Sequence, residues 1–128
     1  HDRVAAYLDR RAQAGRQTRI VTIHSFTPVF LGVSRPWHAG VLHDHASDLA
    51  EAILSGLRTD AALNVAANVP YVISRDADYA VPIHGDDRGI PAVLIEIRQD
   101  LLSTRSGIEE WADRLAAALP AHETETVS

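Results

Sequence analysis

The sequence predicts an α/β domain of three layers, with a mainly parallel or mixed sheet and helices on both faces. Three observations carry this. Two short runs, Thr18 to Ile23 and Pro91 to Ile97, are apolar at nearly every position and rich in β-branched residues, the pattern of strands covered on both faces. Between them Ala46, Leu49, Ala50, Ile53, Leu54 and Leu57 recur at i, i+3, i+4, i+7, i+8 and i+11, one apolar stripe of an amphipathic helix. Helical periodicity also marks both ends of the chain, so helices alternate with buried strands.

Taken in order, Val4, Ala5, Leu8 and Ala12 predict a helix over residues 2 to 14, with Gly15 as its stop. The first strand follows and ends at His24. Residues 25 to 40 hold Pro28, Pro36, Gly32 and Gly40 together with Phe26, Phe30 and Trp37, and read as a long loop of the kind that often carries function. Val41 and Leu42 read as a short strand ahead of the central helix. Leu63 to Ala66 is a further strand candidate. Asn68 to Gly89, with Pro70, Pro82 and Gly85, is a polar stretch expected to line a site or lie on the surface. Ser106 and Glu109 stand as a capping-box pair for a last helix bearing Ile108, Trp111, Ala112, Leu115 and Leu119, which Pro120 closes. The domain is expected to end there, leaving residues 121 to 128 as a polar tail.

A chain of 128 residues suits one domain, whose folded form hides roughly two thirds of the surface its unfolded form exposes. Apolar residues at 46% and charged residues at 23% exclude disordered, collagen-like and coiled-coil classes. No apolar run approaches the roughly 18 residues of a membrane span. The absence of cysteine removes disulfides, thiolate zinc sites and cysteine nucleophiles, so any metal must rest on His, Asp or Glu. All 12 basic residues are Arg, which excludes a Schiff-base lysine and a P-loop lysine. The net charge of -5 and the scattered arginines, with Arg10 and Arg11 read as a solvated helix face, argue against nucleic-acid binding. There is no Met even at position 1, and a helix pattern begins at once with no signal peptide before it. The sequence therefore reads as a cytoplasmic chain and as part of something longer.

In an α/β sheet, ligands bind beyond the carboxyl ends of the strands. His24 ends the first strand, and Glu96 lies near the end of the second with Arg98 on the same face, because side chains alternate along a strand. An unpaired carboxylate in an apolar strand costs several kcal/mol to bury. Glu96 thus calls for a partner: an ion pair with Arg98, a metal-bound water, or a raised pKa. His24 is either a hydrogen-bonded histidine at a strand end or a ligand. His43, Asp44 and His45 resemble a metal pair, but Asp44 at a helix start reads first as a cap. Ser25 beside His24 points to the opposite face and lies in no Gly-x-Ser-x-Gly elbow, which argues against a Ser-His hydrolase.

Four ordered motifs then stand out: His24-Ser25-Phe26-Thr27-Pro28-Val29, Arg35-Pro36-Trp37-His38-Ala39-Gly40, Asn68-Val69-Pro70-Tyr71 and Glu96-Ile97-Arg98-Gln99-Asp100-Leu101. Together, over about residues 18 to 115, they resemble the N-formylglutamate amidohydrolase family, whose fold is similar to that of the zinc carboxypeptidases. The resemblance implies a Zn2+-dependent hydrolase of the amide C–N bond in N-formylglutamate or a similar N-acyl amino acid. It implies that His24 completes the zinc site and that Glu96 is the general base that takes a proton from the water zinc activates. Arg98 or Arg35 would bind a substrate carboxylate or steady the oxyanion, a task that suits the planar guanidinium. Trp37 would wall the pocket, with His38, Tyr71 and His84 as further substrate-binding candidates. Val69 departs from the motif, standing where an acidic residue is expected.

Catalytic zinc takes three protein ligands and a water, and family members carry the other ligands in a preceding half. The chain is thus expected to be the C-terminal half of an amidohydrolase, with that half and a small-molecule substrate as its partners. Two rival readings stand beside this one: an inactive carboxylate-binding module without metal, and a fragment inactive without its N-terminal half.

Overall fold

Two strands far apart in the sequence lie side by side in one sheet. The computed structural model describes residues 2–15, 18–70, 73 and 80–119. In chain order it contains α1 (Asp2–Gln13), β1 (Ile20–Phe26), β2 (Val29–Phe30), β3 (Val33–Ser34), β4 (Ala39–Leu42), α2 (Ser47–Leu57) and β5 (Val65–Ala67). A π-helical turn (Ala80–Gly85), a 3-10 turn (Asp86–Arg88), β6 (Ala92–Arg98), a second 3-10 turn (Gln99–Leu102) and α3 (Arg105–Ala118) follow. One mixed sheet has the order β1-β6-β4-β5, with β1 parallel to β6, β4 antiparallel to β6, and β5 parallel to β4. This is the α/β class that the periodicity predicts.

The alternation of β6 builds both layers. Val93, Ile95 and Ile97 pack with Ala39 and Val41 under α2 and α3, the latter contributing Trp111 and Leu115. The two helices touch closely: a Cβ placed on Gly56 would come within 2.7 Å of the Ala118 backbone. On the opposite face Ala92 and Leu94 pack against Leu42 and Val81 of the π-helical turn. Helix α1 lies on that turn with Leu8 buried, and Arg88 reaches Asp9 at 2.7 Å. Among the described residues no helix is long and apolar enough to cross a membrane.

Several expectations are corrected here. The first strand runs two residues past His24 to Phe26, and it is an outer strand rather than one covered on both faces: Ile23 is 53% exposed. Helix α2 lies across β4, β5 and β6 and leaves this edge short of cover. The loop predicted over 25 to 40 contains a two-stranded hairpin, β2 with β3, turning through Leu31 and Gly32. Both turn residues have positive φ, 51° and 78°, the hand that matches the twist of a tight hairpin. Asp44 does not cap α2, which starts at Ser47 after Ala46 without a side-chain cap. The cap of α3 is Thr104, whose hydroxyl accepts from the Gly107 amide at 3.0 Å, because the helix starts ahead of the predicted Ser106 and Glu109 pair. That start turns Ile108 to solvent and leaves Ala112 exposed. The predicted polar tail and Tyr71 lie outside the described residues.

Candidate active site at the carboxyl ends of two neighbouring strands

Parallel pairing of β1 with β6 sets His24 directly beside Glu96 and Phe26 beside Arg98. Alternation puts these four side chains on one face of the sheet. The His24 Nδ1 atom lies 3.8 Å from Glu96 Oε1. The two are unequal in exposure: the His24 side chain is 57% open to solvent, the Glu96 side chain 1%. Glu96 is thus a carboxylate sunk in the sheet with an accessible imidazole at its mouth.

Arg98 does not pair with Glu96. Its guanidinium grips Asp100 with both arms, at 2.7 and 3.1 Å, and reaches the Pro36 carbonyl at 3.4 Å. This grip holds the Asp100 carboxyl below the usual aspartate range. Arg35 stacks its guanidinium over the rings of Phe30, 4.7 Å from the centroid, and Phe26, at 5.9 Å. Among the described residues no carboxylate stands within ion-pair distance of it. A fork already oriented by two aromatic faces and still open to an anion is the geometry of a carboxylate clamp.

His38 is tied into the scaffold. Its ring Nδ1 accepts from the Asn64 amide at 2.8 Å, its own amide donates to the Asn64 carbonyl, and its carbonyl accepts from the Arg98 amide at 2.9 Å. Next to it Gly40 admits no side chain, since a Cβ there would fall 1.8 Å from the Val69 carbonyl oxygen. Asn68, held at φ 55°, donates its amide to the Val41 carbonyl at 3.0 Å and accepts from the His43 amide, which locks the bend that leads into Pro70. Trp37 is partly buried beside these residues. His84 is buried in the π-helical turn, where loss of solvent, aided by Arg88, lowers its pKa and keeps the ring neutral.

Residue spacing does not reveal Asp100, although it lies within the quoted motif two positions after Arg98. It reveals still less of Asp86, which the fold brings to Asp44 and His45 at the other end of the sheet.

A family model described as N-formylglutamate amidohydrolase matches residues 1–103. The chain belongs to the N-formylglutamate amidohydrolase family. The structure is also similar to the crystal structure of a gene product from Agrobacterium tumefaciens, with a TM-score of 0.79 and 39% sequence identity. That similarity covers 90% of this chain and 46% of the other, so the chain spans about half the length of the solved structure it matches. No curated protein matches.

The zinc that family membership brings into question can be tested against the residues in place. An open imidazole at a strand end is a good zinc donor, and a buried carboxylate beside it suits a proton acceptor. Among the described residues no third His, Asp or Glu joins His24 and Glu96 within ligating distance. The fit is that of one ligand and one base from a larger set.

Proposed function

We propose that this chain carries one side of the active site of a Zn2+-dependent hydrolase that cleaves the amide C–N bond of N-formylglutamate or a similar N-acyl amino acid. The observation that supports this reading most is the register that sets an exposed His24 beside a buried Glu96 at the carboxyl ends of parallel strands. His24 would hold the metal, with the remaining ligands supplied from outside the described residues. When bound, zinc would polarise the amide carbonyl and lower the pKa of water toward about 7.

The residues of this chain account for the proton's path. Glu96, shielded from solvent, accepts a proton from the attacking water and delivers it to the departing nitrogen, so that the C–N bond breaks to an acid and an amine. Arg35 takes a carboxylate of the substrate between its two arms. Arg98, occupied by Asp100, acts through the Pro36 carbonyl as a positioning residue for the Arg35 loop. Trp37, His84 and Tyr71 are proposed to bound the substrate pocket, with His38 fixing its floor.

The test is hydrolysis of N-formylglutamate by the full-length protein. In a Glu96→Gln variant kcat is expected to fall by about 100-fold or more, the usual worth of a general base, with KM little changed. Unaltered turnover would sink the assignment. The accessible Arg35 favours a second reading, a carboxylate-binding module without catalysis. That reading is supported if N-formylglutamate binds, Arg35→Lys weakens it, and no hydrolysis occurs with zinc present.

A further inference from the structure

The chain that leaves β4 emerges at the opposite end of the sheet from His24 and Glu96. Because β4 runs against β6, Leu42 stands across from Leu94, and His43, Asp44 and His45 come out where β6 begins. The 3-10 turn that opens at Asp86 reaches the same place. Asp86, His45, Arg19, Asp48 and Pro91 line a cleft of about 570 Å³ there.

Asp86 is unusual within that cleft. Its side chain is 3% exposed, and neither carboxylate oxygen accepts a well-formed hydrogen bond, the backbone N–H of His45 making only a minor contact. The His45 ring stands beside it, with Nδ1 3.8 Å from Asp86 Oδ1, and the other ring nitrogen lies 3.7 Å from Asp44 Oδ2. One donor atom from each of Asp44, His45 and Asp86 falls within 4.8 Å of the others. Arg19 lines the same cleft, and no guanidinium among the described residues stands within ion-pair distance of Asp86. A buried carboxylate without a well-formed hydrogen bond costs several kcal/mol unless a charge compensates it or it takes up a proton.

We propose that Asp44, His45 and Asp86 form a binding site for a divalent transition-metal ion, with Zn2+ as its representative. One imidazole and two carboxylates make a mixed nitrogen and oxygen set, which suits ions of intermediate softness rather than Ca2+ or Mg2+. Zinc bonds of about 2.0–2.2 Å require donor atoms roughly 3.3–3.6 Å apart. The exposed Asp44 and His45 side chains therefore need to close by about 1 Å on the fixed Asp86. Water completes the shell from the cleft. The ion offsets the charge that the surrounding protein leaves uncompensated on Asp86, and it couples the β4–α2 connection to the turn at Asp86.

The site is tested by calorimetric titration of Zn2+ into the full-length His24→Ala protein, in which the site at His24 is weakened, and the new site is read as the part of the binding that Asp86→Asn or His45→Ala removes. Binding tighter than about 1 mM is expected. Adding Asp86→Asn or His45→Ala should weaken it by at least about tenfold, the loss that removing even a ligand's supporting partner produces. Zn2+ should also raise the melting temperature of His24→Ala and fail to raise that of the variant with Asp86→Asn. Both added substitutions are expected to leave the fold intact in EDTA, because His45 is exposed and Asn keeps the shape of Asp86 while removing its charge. Absence of Zn2+ binding in His24→Ala, or binding unchanged by both added substitutions, overturns the proposal.

Discussion

A buried histidine and two surface carboxylates give this fold two separate pH windows. His84 has its pKa lowered chiefly by burial, so the folded state resists the proton that the unfolded chain accepts near 6.5. The sign follows directly: above pH 6.5 His84 has no effect, and stability is lost as pH falls from 6.5 toward the lower folded value. Asp60 and Asp100 have their pKa values lowered by Arg114 and Arg98, so their contribution stands above 3.8 and disappears only as pH falls through lower values still. The two classes therefore act in separate windows. Replacing His84 by Gln is expected to flatten the decline of melting temperature just below pH 6.5 and to leave the limb below pH 3.8 as it was. An unchanged profile near neutrality would show that His84 is not what senses the proton there.

At the scale of elements, the contact between α2 and α3 is set by a missing side chain. Gly56 lies so close to Ala118 that Gly56→Ala would force the helices apart. A loss of about 1–3 kcal/mol is expected by chemical denaturation, in contrast to the small gain that alanine ordinarily brings inside a helix. Where the signal is local, the elements were legible: the stripe from Ala46 to Leu57 and the apolar run before Ile97 each define an element by their own periodicity. Misplaced details depended on distant neighbours. Thr104 rather than Ser106 caps α3 because the preceding 3-10 turn fixes where the helix can begin, and the hairpin at Leu31 and Gly32 needs a positive φ at a leucine that its type does not advertise.

The whole molecule shows why the site was only half readable. His24 and Glu96 are separated by most of the chain, yet each sits at the end of a strong strand, and the rule for strand ends in an α/β sheet suffices to bring them together. Asp86 follows no such rule. It reaches His45 only because β4 runs against β6, and no periodicity encodes that reversal. The same architecture leaves an outer edge: Ile23 at 53%, Phe30 at 53% and Val33 at 66% exposure lie along β1 and the hairpin beside it. Exposed strand edges with apolar neighbours invite pairing between chains. This 128-residue chain in isolation is expected to gain apparent mass with concentration in light scattering, and Ile23→Lys with Val33→Lys should suppress the gain. A concentration-independent mass for the parent chain would show that the edge is inert.

β6 carries one further consequence. Its odd positions from Val93 to Ile97 anchor the helices, while Glu96 and Arg98 look the other way. Deleting or inserting a single residue inside this strand would trade the two sets at a stroke, driving a carboxylate under α2 and presenting isoleucine on the face that carries His24. Point substitutions can erode such a face by degrees, but a frame slip of one residue would abolish anchor and candidate site together. Length variation in this family should therefore be confined to the loops on either side of β6, and homologous chains of differing length offer a direct check.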